Sequence, residues 1–450
     1  MIPQDSFIIV AEVEPRCLLG LRSLLKTMTI TGCAGVADPA NSLVRFSDFE
    51  TIHFARFVVL ADNTLDDRRH YPQLESSGRE LPTYLCFMVD CDGDADKLLA
   101  RMAQEAAGLR RIFGHCKGLK EGADMLLWLR AHRVQPMASY INWVGRSVTQ
   151  AREEACLHRL LRDALPRIHS TDPQKVFALL KCQLKKTCTL TAAAPTPLAW
   201  RIRNLVHMLL PFVVTLLAFV VAALCLVFFP FIAIALLCIG TLAFVIGTLV
   251  FVVVLRRHEQ SDPIVCQPYE RLHVEELRHG EDHDVTNQYT AMGSIKPGLF
   301  RLRTEIAILY GINWVARHIF TRGSLARIGT IHFAHWVFLD QRRRGFFCSN
   351  YDGGHEAYMD DFINKAGFGL NLAFSSFIGY PTTNWLVASG AWREQDFKRF
   401  QRHHQIPTDV WYKAYPGLAA RDLARNSRIR NGFEKAAMSD DEIRRWLAEI

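Results

Sequence analysis

The chain has 450 residues, of which 50% are hydrophobic and 22% are charged, with a formal net charge of +8 at pH 7. This length exceeds one ordinary hydrophobic core, so we expect two or three folded units. The Lys and Arg residues form no stripe interleaved with aromatic residues and concentrate around one apolar tract, which argues against nucleic acid and for membrane lipids as the acidic partner. Twelve cysteines without a CxxC pair indicate thiols in a reducing compartment, not a disulfide framework.

Residues 1–165 are predicted to form the first folded unit. We predict a strand in "FIIVAEVEP", which ends at Pro15, and a helix in "RCLLGLRSLLKTM". Two further strands are predicted in "TIHFARFVVL" and "TYLCFMVD", a second helix in "DADKLLARMAQEAAGLRRIF" and a last strand in "SYINWVG". The N-terminus has no basic region followed by an apolar one, so no cleavable signal peptide is predicted.

Residues 166–203 are predicted to be a linker, and residues 204–256 a membrane hairpin. From Leu205 to Leu255 no residue is charged, and Pro230 divides this run into two segments of 25 residues. A single helical crossing needs about 20 apolar residues, so two membrane helices fit.

Basic residues flank this apolar tract on both sides, with Arg201 and Arg203 before it and Arg256 and Arg257 after it. The positive-inside rule assigns both flanks to the cytoplasmic side, so both soluble halves are expected in the cytoplasm, beside the bacterial inner membrane. The far turn is itself apolar, which leaves open a re-entrant hairpin that enters one leaflet and returns. A hairpin buried in a soluble core would require two helices that are apolar on every side.

Residues 257–284 are predicted to be a second linker, rich in acidic residues and histidine. Its segment "RHGEDHD" contains four potential metal ligands, namely His279, Glu281, Asp282 and His283. Because the segment has a poor helical pattern, a solvated acidic turn is favoured, and no metal site is predicted.

Residues 285–415 repeat the order of elements found in the first unit, and residues 416–450 are predicted to be a helical tail. Strands are predicted in "VTNQYTAMGSIKP", "TIHFAHWVFL", "GFFCSNYDGG" and "TNWLVASG", with helices in "GLFRLRTEIAILYGINWVARHIF" and from about residue 355 to 377. The two halves share the pentapeptide "TIHFA", two Asp-Gly pairs (Asp92-Gly93, Asp352-Gly353) and two Asn-Trp pairs (Asn142-Trp143, Asn384-Trp385).

The order strand, helix, strand, strand, helix, strand is that of the ferredoxin-like unit, whose sheet has one uncovered face. A second copy can cover that face. The predicted fold class is therefore α+β, with two ferredoxin-like βαββαβ repeats that form a pseudo-dimeric α/β barrel interrupted by a transmembrane or re-entrant α-helical hairpin.

This arrangement resembles the dimeric α/β-barrel superfamily in its fused two-repeat form, which includes dye-decolorising peroxidases and chlorite dismutase-like proteins. The segments "TIHFAHWVFLD", "SNYDGGHEAYMDDF" and "IPTDVWYKAYP" are also similar to those of a group of bacterial two-helix membrane proteins, a likeness that implies architecture only. The peroxidases carry a G-x-x-D-G signature, a distal Asp and Arg, and a His that ligates haem. Here Asp352 and Gly353 match that signature, while Ser349 stands at the leading Gly.

The resemblance implies that His332 or His335, with His53 as a further candidate, would ligate haem, and that Arg56 or Asp352 would assist peroxide cleavage. Alternation along the strands makes Arg56 and His335 equivalent. On residue chemistry alone, buried and hydrogen-bonded side chains are the favoured interpretation of this set.

Two functions remain open from the sequence. One is a haem-dependent, peroxidase-like oxidoreductase that acts on a hydrophobic or lipid-derived small molecule. The alternative is a non-catalytic membrane protein that binds a lipid or a partner protein. The segment from Lys296 to Arg327 has five arginines and Glu305 as its only acid, which predicts a helix that covers the sheet and lies against anionic head groups.

Overall fold

The computed structural model describes residues 2–74, 80–184, 190–192, 194–265 and 270–450. Within these ranges the protein has a mixed α/β fold with antiparallel sheets and two long apolar helices.

The first part of the chain contains the predicted strands and helices. Its elements are β1 (Gln4–Glu12), α1 (Leu18–Lys26), β2 (Ile52–Leu60), α2 (Leu65–Arg69), β3 (Tyr84–Asp92), α3 (Ala95–Glu105), α4 (Ala107–Phe113), α5 (Met125–Ala131), β4 (Arg133–Val134) and β5 (Ala138–Ile141). The second predicted helix is divided into α3 and α4 because Ala106 has non-helical dihedral angles (φ −97°, ψ 78°).

The middle of the chain is helical. Its elements are α6 (Val148–Ala164), α7 (Pro173–Leu184), α8 (Leu198–Phe228), α9 (Pro230–Ser261) and α10 (Arg271–His279). Helices α8 and α9 have 31 and 32 residues, are long and apolar enough to cross a membrane, and bury none of their most apolar stretch against protein. Both extend beyond the predicted bounds, and only Phe229 separates them.

The two predicted linkers contain helices as well. Residues 166–203 include α7 and the start of α8, and residues 257–284 include the end of α9 and α10. The other parts of these linkers at residues 185–189, 193 and 266–269 lie outside the described residues.

The last part of the chain begins like the first. Its elements are β6 (Thr286–Ser294), α11 (Leu299–His318), β7 (Ile331–Leu339), β8 (Arg344–Asp352), α12 (His355–Phe374), β9 (Thr383–Asn384), β10 (Ala388–Ser389), α13 (Glu394–His404), β11 (Val410–Lys413), α14 (Ala420–Glu434) and α15 (Asp440–Leu447). Helices α14 and α15 share a hydrophobic cluster with α6 and α7, so the predicted tail packs against the predicted linker.

Two antiparallel sheets organise these strands. The first has the order β11-β2-β3-β1-β4, and the second has the order β5-β7-β8-β6. Strand β5, from the first half of the chain, pairs with β7, and β11, from the second half, pairs with β2. Each half of the chain therefore contributes one strand to the edge of the other half's sheet.

The prediction of a last strand in "TNWLVASG" is wrong. That segment forms only the two-residue strands β9 and β10, which make a separate small hairpin. Trp385 and Leu386 have positive φ angles of 55° and 67°, which an extended strand does not allow. The strand that occupies the position of β5 in the other sheet is β11, so the match between the two Asn-Trp pairs does not mark equivalent residues.

The two sheets face each other across an apolar layer. Its buried side chains include Ile8, Val58 and Met88 from the first sheet and Val337, Phe346 and Cys348 from the second. Cys348 Sγ lies 3.3 Å from Met88 Sδ, which joins the sheets directly. The outer faces are covered by helices, mainly α1, α3 and α4 on the first sheet and α11 and α12 on the second.

Both central hairpins carry an irregularity at the same place. The register between β2 and β3 shifts between Ile52 and Phe54, and that between β7 and β8 shifts between Ile331 and Phe333. A bulge re-aims a side chain, so His53 and His332 depart from the strict alternation of faces along β2 and β7.

Candidate functional site

Arg56 of β2 reaches across the interface between the sheets. Its guanidinium is buried and donates hydrogen bonds to the Tyr289 carbonyl oxygen at 2.9 Å and to Thr290 Oγ1 at 3.1 Å. It also donates to the Ser349 carbonyl oxygen at 2.9 Å and to Asn350 Oδ1. All four acceptors belong to β6 and β8, so this single side chain connects one sheet to two strands of the other.

His335 of β7 makes the reciprocal connection. Its Nε2 lies 2.7 Å from the Asp90 carboxylate on β3, and its Nδ1 lies 3.0 Å from the Ser139 hydroxyl on β5. Asp90 is opposite Phe54 in the first sheet, and Asn350 is opposite Phe333 in the second, so Asp90 and Asn350 are equivalent positions. The pair His335–Asp90 therefore matches the pair Arg56–Asn350. The predicted equivalence of Arg56 and His335 agrees with this register.

The two bulge histidines bind carboxylates at the ends of neighbouring strands. His53 Nε2 is 3.0 Å from Asp92, and its Nδ1 is 3.2 Å from the Tyr415 hydroxyl. His332 Nε2 is 2.7 Å from Asp352. The two Asp-Gly pairs thus occupy equivalent places, each beside a histidine.

The second oxygen of each carboxylate accepts a hydrogen bond from the start of a helix. Asp92 accepts from the Val148 backbone at 2.8 Å, at the start of α6. Asp352 accepts from the Ala420 backbone at 2.7 Å, at the start of α14. The Asp352 carboxylate therefore caps α14 and not α12, the helix that directly follows it.

The environment of Asp352 favours its ionised form. Burial alone would raise the pKa of this carboxyl group, but the neighbouring His332 and the hydrogen bonds from His332, Ala420 and Thr286 outweigh it and hold the pKa below its usual value. A carboxylate in this setting orients its partners, and its two oxygens are already engaged.

The interior does not fit the predicted haem. A histidine that ligates iron needs one ring nitrogen free for the metal. Both ring nitrogens of His53 and His335 have partners, so neither histidine has a nitrogen free for iron. His332 differs, because among the described residues only its Nε2 is bound, to Asp352. The space between the sheets is filled by the apolar layer described above. In the structure His53, His332 and His335 are buried and hydrogen-bonded, and a role for any of them as a haem ligand stays a prediction.

The four potential ligands in "RHGEDHD" are directed to separate partners. Glu281 forms a buried ion pair with Arg402, at 2.6 and 3.1 Å, and so is not part of a solvated turn. His279 bonds the Glu275 backbone carbonyl in α10, and His283 bonds the His279 backbone carbonyl. Asp282 accepts a hydrogen bond from the Asn287 side chain.

A buried ionisable cluster that we did not predict lies just after the second apolar helix. Glu305 of α11 is completely buried, and neither of its carboxyl oxygens has a hydrogen-bond partner within the described ranges. Burial raises its pKa to about 8. Lys296, whose Nζ donates to the Ser375 carbonyl oxygen at 2.9 Å and lies 3.4 Å from Asp262, has its pKa lowered by burial to about 8. The sequence indicated this cluster only through Glu305, the single acidic residue in the segment from Lys296 to Arg327.

A second unpredicted cluster joins Asp67 of α2 to the end of α13. His404 Nε2 is 2.7 Å from the Asp67 carboxylate, and His403 Nε2 is 3.9 Å from it. Burial, followed by the charges of His404 and His273, lowers the pKa of His403 to about 4. The adjacent histidines are visible in the sequence, but their carboxylate is 337 residues away from His404.

Helix α11 packs across the bases of both apolar helices. Near its start, the Phe300 ring is 5.3 Å from that of Phe251 on α9. Near its end, the Trp314 ring is 5.9 Å from that of Phe212 on α8. The two contacts are 14 residues apart, about 21 Å along a helix, so α11 bridges the hairpin.

No protein-family model, curated protein or solved structure matches this chain. The resemblance to dye-decolorising peroxidases and chlorite dismutase-like proteins stays a prediction from the order of elements.

Proposed function

We propose that the two sheets are the halves of a duplicated ferredoxin-like α/β barrel. The antiparallel order β4-β1-β3-β2 in the first sheet supports this assignment, and β6, β8 and β7 repeat its central part. The contacts on the outer side of β1 and β6 repeat as well. Arg133 pairs with Ile9 of β1 in the first half, and Gln405 forms a bridge with Ala291 of β6 in the second. In both halves the chain enters the opposite sheet five residues later, at Ala138 and at Val410.

The barrel requires both halves on one side of the membrane, and a helical hairpin returns the chain to the side on which it entered. Arginines next to both ends of the hairpin favour the cytoplasmic side. The localisation that we propose is a bacterial inner membrane with the barrel in the cytoplasm.

We further propose that the protein is a non-catalytic binding module that recognises anionic phospholipid head groups where the barrel meets the bilayer. The observation that carries this proposal is the contact of α11 with both hairpin helices. Arg303 and Tyr310 are exposed on this helix, and we assign them to the membrane boundary. Arginines and aromatic rings are the residues enriched there.

The hairpin ends add exposed cationic groups to the same boundary. Arg201 and Arg203 are exposed near the start of α8, and Arg257 is exposed near the end of α9. A surface depression of about 540 Å³ is lined by Trp200, Arg201 and neighbouring residues, and another of about 480 Å³ is lined by Arg257 and its neighbours. Each basic residue beside an anionic leaflet contributes about 1 kcal/mol.

The test is a comparison of phosphatidylglycerol and phosphatidylcholine binding to the delipidated full chain in detergent, measured by native mass spectrometry. One variant replaces the four boundary arginines by Gln, at positions Arg201, Arg203, Arg257 and Arg303. The matched control replaces four exposed arginines that lie outside α8, α9 and α11, at positions Arg16, Arg111, Arg421 and Arg444.

We expect the full chain to prefer phosphatidylglycerol, and the boundary variant to lose about tenfold or more of that affinity while the control keeps it. The charge change is the same in both variants, so net charge alone cannot produce this difference. Equal binding of the two lipids by the full chain, or an equal loss in the control, would refute the proposal.

A further inference from the structure

The cluster of Asp67, His403 and His404 lies outside the barrel interior and the membrane boundary. One ligand atom from each residue lies within 4.8 Å of those of the other two. Asp67 and His404 are buried, and His403 is partly buried. Two helices, α2 and α13, supply these groups, so the cluster exists only in the folded chain.

The hydrogen bond of His404 sets which ring nitrogen faces the cluster. Its Nδ1 is 2.8 Å from the Phe400 carbonyl oxygen, to which it can only donate. In the neutral ring, Nε2 then carries the lone pair and points at the Asp67 carboxylate 2.7 Å away. Histidines that bind metals are oriented in this way, by donating the other ring N–H to a backbone carbonyl or a carboxylate.

Two other imidazole nitrogens nearby have no assigned role in the fold. Nε2 of His403 and Nε2 of His273 on α10 are buried, and neither has a hydrogen-bond partner among the residues that the structure describes. Buried polar atoms without a protein partner are uncommon, and those that occur often bind an ion or a water molecule. An ion pair between His404 and Asp67 alone would not explain why Nε2 of His403 and Nε2 of His273 are buried beside it.

We propose that Asp67, His403 and His404 bind a divalent transition-metal ion. Two imidazoles and one carboxylate are the protein ligands of many zinc sites that keep an open position, and of mononuclear iron(II) sites. A tetrahedral ion with bonds of about 2.0–2.1 Å separates its ligand atoms by about 3.3 Å. The two distances to Asp67, 2.7 Å to Oδ2 and 3.9 Å to Oδ1, lie on either side of that value. All three ligand atoms lie within 4.8 Å of one another, so shifts of up to about 1.5 Å complete the site.

The site opens to solvent through a small cleft. This cleft has a volume of about 130 Å³, and His403, His404, Thr382 and Arg393 are among the residues that line it. Three protein ligands leave at least one coordination position for water, which reaches the ion from the cleft. His273 is the candidate for a further ligand or for a hydrogen-bond partner of that water.

The experiment uses the full chain in detergent, without a histidine tag and without chelators during purification. Its metal content is measured by inductively coupled plasma mass spectrometry. After the metal is stripped, Co²⁺ is titrated and its visible ligand-field absorption is recorded. We expect about one metal ion per chain and a Co²⁺ spectrum that saturates at one equivalent.

Three variants test the ligands, and one serves as the matched control. Asp67→Asn, His403→Ala and His404→Ala are each expected to weaken Co²⁺ binding about tenfold or more. His70→Ala removes an exposed histidine from the end of the same helix as Asp67 and is expected to bind as the unmodified chain does. Circular dichroism checks that each variant is folded, and added metal should raise the melting temperature only where the site is intact.

His403→Gln is the variant that separates metal binding from folding, because Nε2 of His403 makes no hydrogen bond within the described residues. If this variant is folded and binds Co²⁺ as tightly as the unmodified chain, the assignment is wrong. The assignment is equally wrong if the full chain contains no metal and gives no Co²⁺ spectrum.

Discussion

Replacing Glu305 with Gln removes a carboxyl group that is completely buried and has no hydrogen-bond partner within the described ranges. Burial raises the pKa of Glu305 from its ordinary value of 4.5 to about 8, and the nearby Ser376 hydroxyl and Arg301 offset only part of this effect. The folded protein therefore holds a proton on Glu305 at neutral pH, whereas the unfolded chain does not.

The sign of the pH dependence follows from this difference. A group whose pKa is raised by folding contributes fully below pH 4.5, and that contribution declines as pH rises towards 8. Each tenfold change in proton affinity corresponds to about 1.36 kcal/mol, so between pH 4 and pH 8 the unmodified protein loses about 4 kcal/mol at this site. Gln has nearly the same shape and does not ionise, so the variant avoids this loss.

Thermal unfolding in detergent, followed by circular dichroism from pH 5 to pH 8, measures the effect. The range stops at pH 8 because the lowered pKa of Lys296 contributes with the opposite sign above it. We expect similar melting temperatures at pH 5 and a higher one for Glu305→Gln at pH 8. Glu121→Gln, at an exposed carboxylate, is the control. Parallel pH profiles for Glu305→Gln and the unmodified chain would refute the reasoning.

Three further predictions concern the two sheets and the helices that pack on them. Arg56→Met removes the hydrogen bonds that Arg56 donates to four buried acceptors, of which Asn350 Oδ1 keeps one from Trp411 Nε1. A buried group left unpaired costs about 1–3 kcal/mol, so denaturant unfolding should show a loss of about 3–5 kcal/mol. An unchanged midpoint would contradict the role of this side chain in joining the sheets. Asp352→Asn removes a carboxylate with a lowered pKa, whose stabilisation is present at neutral pH and lost as pH falls through that pKa. The variant and the unmodified chain should therefore differ in melting temperature at pH 7 and converge in acid, and a constant difference would contradict the ion pair with His332. Ser147→Ala removes the N-cap acceptor of the Gln150 backbone, so the free energy of unfolding should fall by about 1 kcal/mol, and Thr at this position should restore most of it.

Local patterns in the sequence were sufficient for the elements whose signal lies within a few residues. The apolar run around Pro230 predicted the helical hairpin, because continuous hydrophobicity over more than 20 residues is a property of the segment itself. Alternation and β-branched residues predicted the central strands of both sheets. The repeated "TIHFA" marked β2 and β7, which the structure shows at equivalent positions in their sheets.

Tertiary contacts decided the features on which the candidate sites depend. The bulges at His53 and His332 and the turn at Trp385 depart from local pattern because hydrogen bonds elsewhere hold them, as Glu259 does by accepting from the Trp385 backbone at 3.0 Å. Strand β5 joins the edge of the second sheet at β7, and β11 joins the edge of the first sheet at β2. These pairings depend on which sheet edge has no other strand beside it in the folded molecule.

The amino-acid sequence by itself determined the two apolar helices, the central strands and the histidines and carboxylates available to them. Only the folded chain decided the partners of these side chains, and it directed Asp352 to His332 and Asp67 to His404. The physical reason is the separation along the chain over which each effect acts. Hydrophobic periodicity acts between neighbours along the chain, whereas a buried charge takes its partner from whatever residue the fold brings within about 3 Å.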